Sequence, residues 1–448
     1  MSEADTIVAR ATAAGHAGVA IVRLSGPEAI AIAAEIGRIS ADRLRHGQLR
    51  YARMREATGQ LIDRGYLVAM HAPRTFTGED IAELQLHGSP AVIERAIAAC
   101  VALGARRAER GEFSRRAFLG GKLDLVQAEA LLDLVSARTE AAAELALEHL
   151  DGRIGEALSA WRTPIIDALS EVEARLDFSE HEDVGGLPAS LRNDLAHAAS
   201  EMASLAASAT AGRLRLDGVR IAMYGAPNAG KSTLFNAMLR ADRALVHEQA
   251  GTTRDVIEAA GELDGIAVTW VDTAGIRGTE GAVEKAGIER ARASAATADV
   301  VLFLRDQNAP AADLDDPPAG PAHRRIIPIA TKSDLPRHGE TIDDAVAVSV
   351  LDPASVDQLR AVLGGVVREL TSASVADDLV LTRQRHADAL ARASESLYRA
   401  LGAMDEGTPL EYIAADLRDA TDAIAEITGE IAPDDVLDAI FARFCIGK

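Results

Sequence analysis

A chain of 448 residues is too long for a single compact core and calls for two to four domains. Its composition, 48% apolar but only 3% aromatic, is that of a helix-rich globular protein; no apolar run reaches the length of a membrane span, and the start lacks the charged-then-apolar pattern of a signal peptide. Two cysteines, Cys100 and Cys445, cannot build a disulfide framework and point to a reducing cytoplasm, while a net charge of −21 argues against a surface broadly attractive to nucleic acid.

Residues 1–120 mix strand-like stretches at 19–24, 61–69 and 81–86 with a helical pattern at 90–103, which reads as a small α+β domain. Its charge differs from the rest: residues 1–122 hold 17 Arg and Lys against 13 Asp and Glu, a surplus of four that leaves the remainder at −25. Arg106, Arg107, Arg110, Arg115, Arg116 and Lys122 carry part of it, either as a solvated surface or as an anion-facing patch. Residues 121–214 are helical, with Leu123, Val126, Ala130, Leu131 and Leu134 on one face of a 3.6-residue repeat and a turn-forming interruption at 183–188. From 215 to 372 strands at 219–224, 267–272, 300–304, 326–330 and 345–349 alternate with helices, implying a parallel sheet with crossover helices. The Ala-, Pro- and Asp-rich stretch 308–321 reads as an exposed loop. The helical pattern returns over 373–448, where Ile413, Leu417, Ala420, Ile424 and Ile427 share a face. The two helical blocks are expected to pack as one domain, split by the inserted α/β domain.

The α/β segment carries the most informative motif. Gly225-Ala226-Pro227-Asn228-Ala229-Gly230-Lys231-Ser232 follows an apolar run and precedes a helical pattern beginning at Thr233, the context that G-x-x-x-x-G-K-[ST] needs to cradle phosphates. Backbone N–H groups of such a loop wrap the phosphates, Lys231 neutralises their charge and the Ser232 hydroxyl ligates Mg²⁺. Gly251-Thr252-Thr253-Arg254-Asp255 stands where a switch threonine, Thr253, completes the metal shell. Asp272-Thr273-Ala274-Gly275 follows a strand, so an acidic residue can hold the Mg²⁺ shell and a glycine N–H can sense the γ-phosphate. In Thr331-Lys332-Ser333-Asp334 the carboxylate of Asp334 can accept both N–H groups of a guanine edge, a donor pair adenine lacks; Ser349-Val350 offers a backbone N–H to guanine O6. Read singly, Asp272-Thr273-Ala274-Gly275 is also an ordinary turn and Thr331-Lys332-Ser333-Asp334 an ordinary helix cap. Four fragments in this order and spacing point to a GTPase.

The phosphate loop and its two switch fragments resemble the translation-factor-related bacterial GTPases of the Era, Der and MnmE branch. Thr331 departs from the Asn usual there, which would contact guanine N7 and tie to the phosphate loop; Asp334 is expected to preserve guanine selectivity. Three further segments narrow the resemblance: Asp5-Thr6-Ile7-Val8 with GVAIVRLSGP at 18–27, TGEDIAELQLHG at 77–88, and GEFSRRAFLGGKLDLVQAE at 111–129. With the terminal Phe444-Cys445-Ile446-Gly447-Lys448, they are similar over essentially the whole chain to the MnmE (TrmE) tRNA modification GTPases. Ala13-Ala14-Gly15-His16-Ala17 departs from the family's Pro-Pro-Gly-Arg-Gly stretch.

The resemblance implies an N-terminal tetrahydrofolate-binding α+β domain at 1–120, a helical domain at 121–214 and 373–448, and an inserted Ras-like GTPase domain at 215–372. It implies a homodimer that works with the flavoprotein MnmG, as a heterotetramer, on C5 of the wobble uridine of certain tRNAs. The carbon comes from 5,10-methylene- or 5-formyl-tetrahydrofolate, with Arg23, Glu83, Lys122 and Lys448 at the folate site. No cis arginine finger is evident, and the family instead uses K⁺, held by Asn228 and by the loop bearing His247, Gln249, Gly251 and Thr252; Glu284 matches the glutamate that orients the attacking water. Cys445 reads as a packed small hydrophobe after Val436, Ile440 and Phe444, or as a thiol near the transferred carbon. The rival reading is an Era- or Der-like switch acting on RNA or ribosomes, but such proteins append an RNA-binding module or a second GTPase domain.

Overall fold

The computed structural model describes residues 5–177, 188–241, 257–272, 282–309, 316–338, 344–372 and 379–447, with backbone alone at 241, 257, 282–288 and 290. They fall into two compact units. One comprises Met1–Leu132, His149–Leu158 and Ala425–Lys448, the other Asp133–Glu148 and Ser159–Ile424.

The first unit is built on a six-stranded sheet of β1 (Ile7–Arg10), β2 (Ala17–Ser25), β3 (Arg50–Arg55), β4 (Leu61–Met70), β5 (Ile81–Gly88) and β6 (Arg106–Arg107), in the order β3-β4-β5-β2-β1-β6. All neighbours are antiparallel except β1 and β6. Alternation along β2 and β5 sends Ala20, Val22, Leu24, Ala82 and Leu84 into a core shared with α1 (Ala29–Gly37) and α2 (Pro90–Ala102). The same alternation turns Arg23 and Glu83, register partners across the two strands, to the opposite face. Over that face lie Ile7, Ala9 and Phe113, the last from α3 (Glu112–Leu119).

Helix α4 (Leu125–Ser136) begins two residues after the first position of the expected apolar stripe, because Asp124 and Gln127 cap it. Gln127 N–H donates to Asp124 Oδ1 at 2.7 Å and Asp124 N–H to Gln127 Oε1 at 2.9 Å, a reciprocal capping box. Its buried Leu125 and Ala128 cluster with Leu437, Ile440 and Phe441 of α14 (Asp434–Phe441) and with Phe444.

In the second unit, α7 (Ala189–Ala207) and α8 (Ala209–Asp217) lead into a sheet of β7 (Val219–Gly225), β8 (Ile257–Leu263), β9 (Ile266–Asp272), β10 (Val300–Asp306), β11 (Arg325–Thr331) and β12 (Val346–Val348). The order β12-β11-β10-β7-β9-β8, parallel except for β8 on β9, is doubly wound with α9 (Lys231–Ala241), α10 (Ala282–Thr297) and α11 (Pro353–Thr371). The five expected strands are present, and Ile257–Leu263 adds an antiparallel edge. Chain from beyond the sheet returns to the helices before it: Ser394 Oγ in α12 (Gln384–Glu406) donates to the Ala199 carbonyl at 2.8 Å, and Leu381 N–H donates to Ser208 Oγ at 3.0 Å. The split helical domain with an inserted α/β domain is therefore the architecture.

Two further helices, α5 (Glu140–Leu150) and α6 (Arg153–Asp177), precede α7, and α13 (Leu410–Thr428) follows α12. The expected face of α13 is buried at Ile413, Leu417, Ala420, Ile424 and Ile427. Of the stretch at 308–321, the described part contains no helix or strand; the turn segment at 183–187 lies outside the described residues. Among the described residues no helix is long and apolar enough to cross a membrane.

Candidate functional sites: a nucleotide pocket and a charged sheet face

The phosphate loop begins where β7 ends. Gly225 has to be glycine because a Cβ there would lie 2.4 Å from the Leu304 carbonyl oxygen of β10. Asn228 and Gly230 take left-handed φ values of 63° and 89°, turning the loop back into α9; Asn and Gly are the residues that tolerate this. Lys231, the first residue of α9, is 9% exposed, and its Nζ donates to the carbonyls of Gly225 and Ala226 at 2.8 Å each. Burial draws its pKa down, against the opposing charge of Asp272, itself 2% exposed at the end of β9. The ammonium is held over the loop with its hydration stripped, a state that a phosphate's charge would relieve.

At the other end of the site a cavity of about 260 Å³ is lined by Gly230, Thr233, Thr331, Lys332, Asp334 and Val350 together with neighbouring apolar side chains. The phosphate-loop glycine and four of the base-recognition residues expected from sequence, Thr331, Lys332, Asp334 and Val350, thus line one cavity. Ser349 Oγ donates to Asp334 Oδ1 at 2.6 Å and fixes the carboxylate. Lys332, at φ 58°, pairs with Asp306; burial is the largest influence on that carboxyl and raises its pKa, but the bonds from Lys332 and the Asn308 N–H, with the charge of Lys332, together hold the pKa below its ordinary value. Thr331, 5% exposed, donates its hydroxyl to the Ala229 carbonyl at 2.8 Å, with the Arg305 carbonyl at 3.1 Å as the competing acceptor. The shorter side chain therefore still ties the base loop to the phosphate loop.

His247, Gln249, Gly251, Thr252, Thr253, Thr273, Ala274, Gly275 and Lys448 lie outside the described residues, as do Arg254 and Arg277. Glu284 is on α10 with its backbone alone described.

In the first unit Arg23 and Glu83 form an ion pair: Nε and Nη2 both lie 2.9 Å from Glu83 Oε1, and the Arg23 guanidinium stands 6.0 Å from the Phe113 ring centre. Lys122 follows α3, its aliphatic stem against Gly78, where a Cβ would come within 3.0 Å of Lys122 Cε. The C-terminal tail is docked on the same domain. Ile446 bridges Arg110, and Gly447 at φ 100° lies so close to the end of β1 that a Cβ would stand 1.9 Å from the Arg10 carbonyl oxygen. Arg10 is one residue from Ala9, the register partner of Arg23.

Sequence reasoning missed a network beside this face. Arg116, 9% exposed, donates to Asp5 Oδ1 at 2.7 Å, to the Asp5 carbonyl at 2.9 Å and to Glu79 at 3.1 Å, with Glu112 at 3.4 Å. Arg106 bridges Asp5 and Glu112, and Glu79 also accepts from Ser25 Oγ at 2.6 Å. Burial raises the pKa values of Asp5 and Glu112, but the bonds from Arg106 lead a set of favourable partners that brings both below the carboxylate range. The i,i+4 pair of Glu112 and Arg116 was the available signal. Arg107 pairs with Glu94 and Arg115 with Asp438, so four of the six residues in the basic cluster are ion-paired within the protein, and the anion-facing reading fails for them. Cys445 is exposed, not packed as expected, because Phe444 takes the buried position and the backbone of 445–446 runs along Arg110 and Gly111; Cys100 is the buried thiol, pushed up to about 12 by desolvation.

Residues 6–122 match the family model for the GTP-binding protein TrmE N-terminus, and residues 125–445 match that for the MnmE helical domain. Over 452 aligned residues the chain is 44% identical to the tRNA modification GTPase MnmE of Xanthomonas campestris pv. campestris, covering 99% of both. Relatives of the same description from Roseiflexus sp. and Geobacter sulfurreducens are 40% and 38% identical, again over 99% of each chain. Among solved structures, Era of Aquifex aeolicus bound to GDP and aluminium fluoride is 22% identical, with a TM-score of 0.26 over 40% of this chain and 66% of that one.

Proposed function

The chain belongs to the MnmE family of tRNA modification GTPases, and from that premise we propose that it is a K⁺-activated GTPase that acts with MnmG on C5 of the wobble uridine of certain tRNAs, using a tetrahydrofolate one-carbon unit. The observation that carries the reading is the cavity that Gly230 shares with Thr331, Asp334 and Val350. In it Asp334, steadied by Ser349, accepts the guanine N–H pair, and the Val350 N–H donates to O6. Lys231 exchanges part of its hold on the loop carbonyls for the phosphates.

Mg²⁺ would be held by Ser232 and Thr253, with Asp272 behind its water shell; the buried carboxylate beside Lys231 fits that charge. K⁺ would be held by Asn228, exposed at the top of the loop, and by His247, Gln249 and Thr252, supplying the positive charge an arginine finger otherwise provides. Glu284 orients the attacking water. On the N-terminal face, the Arg23 bonds fall on Oε1 of Glu83, which leaves Oε2 to accept from a pterin's amino and ring N–H groups. Lys122 and Lys448 suit the acidic tail of a folate. A homodimer fits the open part of the same sheet face, where Tyr51 and Tyr66, 59% and 48% exposed, meet edge to face at 5.9 Å.

The test is hydrolysis by the full chain in K⁺ and in Na⁺. Turnover should rise with K⁺ and fall sharply in Glu284→Ala while GTP binding persists. Equal rates in the two salts would remove the K⁺ assignment.

A further inference from the structure

Thr331 stands at the boundary between base and phosphate recognition, where related GTPases carry an Asn that reaches guanine N7. Its hydroxyl has one proton. That proton has two backbone acceptors within reach, Ala229 O at 2.8 Å and Arg305 O at 3.1 Å, in a side chain only 5% exposed. Guanine N7 is an acceptor and needs a donor. Among the described residues, the remaining side-chain donors lining the cavity are Lys332, whose Nζ is paired with Asp306, and Thr233, on the first turn of α9 at the phosphate end. Rotating Thr331 to serve N7 would leave the Ala229 carbonyl without its bond and release the phosphate loop from the base loop.

We propose that Thr331 is a specificity-determining residue that ties the two loops together and leaves guanine recognition in this chain blind to N7. The base is then read through its N1, N2 and O6 edge by Asp334 and Val350. Purine analogues altered at position 7 are accepted as readily as guanine itself.

The experiment measures equilibrium binding of GDP and of 7-deaza-GDP, which has C–H in place of N7, to the full-length protein and to Thr331 variants. The wild-type protein should bind the two within about twofold of each other. Thr331→Asn supplies a donor, so its preference for GDP should open to about three- to tenfold, the factor of one neutral hydrogen bond. Thr331→Ser keeps the hydroxyl and should match wild type. Thr331→Val breaks the tie and should weaken both ligands by about the same factor, with their ratio still near one. A wild-type preference for GDP of tenfold or more would overturn the proposal, and so would a Thr331→Val variant that binds both ligands as tightly as wild type. The wild-type ratio decides N7 even if a variant does not fold.

Discussion

Replacing Gly447 by Ala probes whether the C-terminal tail is part of the folate site. The residue sits at φ 100°, where a side chain costs roughly 1–2 kcal/mol by backbone strain alone. The added Cβ would also stand 1.9 Å from the Arg10 carbonyl oxygen, 2.8 Å from its carbon and 3.1 Å from Ala11 Cα, all of them backbone and none able to swing aside. Ordinary contact begins at 3.4 Å, so the tail must retreat by more than 1 Å and carry Lys448 with it. A loss of about 1.4 kcal/mol is tenfold in affinity, and the strain term alone is of that size. Calorimetric titration of the full chain with 5-formyl-tetrahydrofolate should therefore show at least a tenfold weaker Kd for Gly447→Ala. GTP binding, seated in the other compact unit, should be unchanged. Folate affinity within twofold of wild type would refute the reasoning that this glycine seats the tail at the site.

Other outcomes follow from the same geometry. Asp334→Asn removes the acceptor that Ser349 steadies, so GTP affinity should drop at least about tenfold while xanthosine triphosphate gains, read in competition binding; unchanged GTP preference would sink the guanine assignment. Arg116→Met leaves Glu79 and Asp5 short of a buried partner and should destabilise the N-terminal sheet domain by about 3 kcal/mol, read as a lower urea midpoint for its transition. Because Asp5 and Glu112 have depressed pKa values, their contribution is fully present above about pH 4.5 and fades as pH falls through the folded values. The gap between Arg116→Met and wild type should then shrink between pH 5 and pH 3; a constant gap would mean that the ion pairs are not its source.

The α/β domain was the most legible part of the chain. Its central strands are buried on both faces and appear as apolar runs, Val219-Arg220-Ile221-Ala222-Met223, interrupted only by Arg220, and Val300-Val301-Leu302-Phe303-Leu304. Two edge strands were not legible. Arg50–Arg55 hides only Ala52 and Met54 among four charged or polar residues, and Ile257–Leu263 is mostly small and acidic, so each is a strand through its hydrogen-bonded neighbour more than through its own pattern. Thr331 could be seen as a departure, yet whether its hydroxyl reached Ala229 depends on how two loops 102 residues apart are brought together. The Arg116 network has the same cause: Asp5, Glu79 and Arg116 are distant in sequence and meet only because β1, the loop before β5 and α3 converge. Composition could count the arginines of that region but not the carboxylates facing them.

The most direct test of the central claim is nucleoside analysis of tRNA from cells lacking this protein. The account predicts that the C5-modified wobble uridine is lost and that the wild-type chain restores it, whereas Lys231→Ala and Glu284→Ala do not. Modified nucleoside that persists without the protein, or that returns in full with Lys231→Ala, would contradict it.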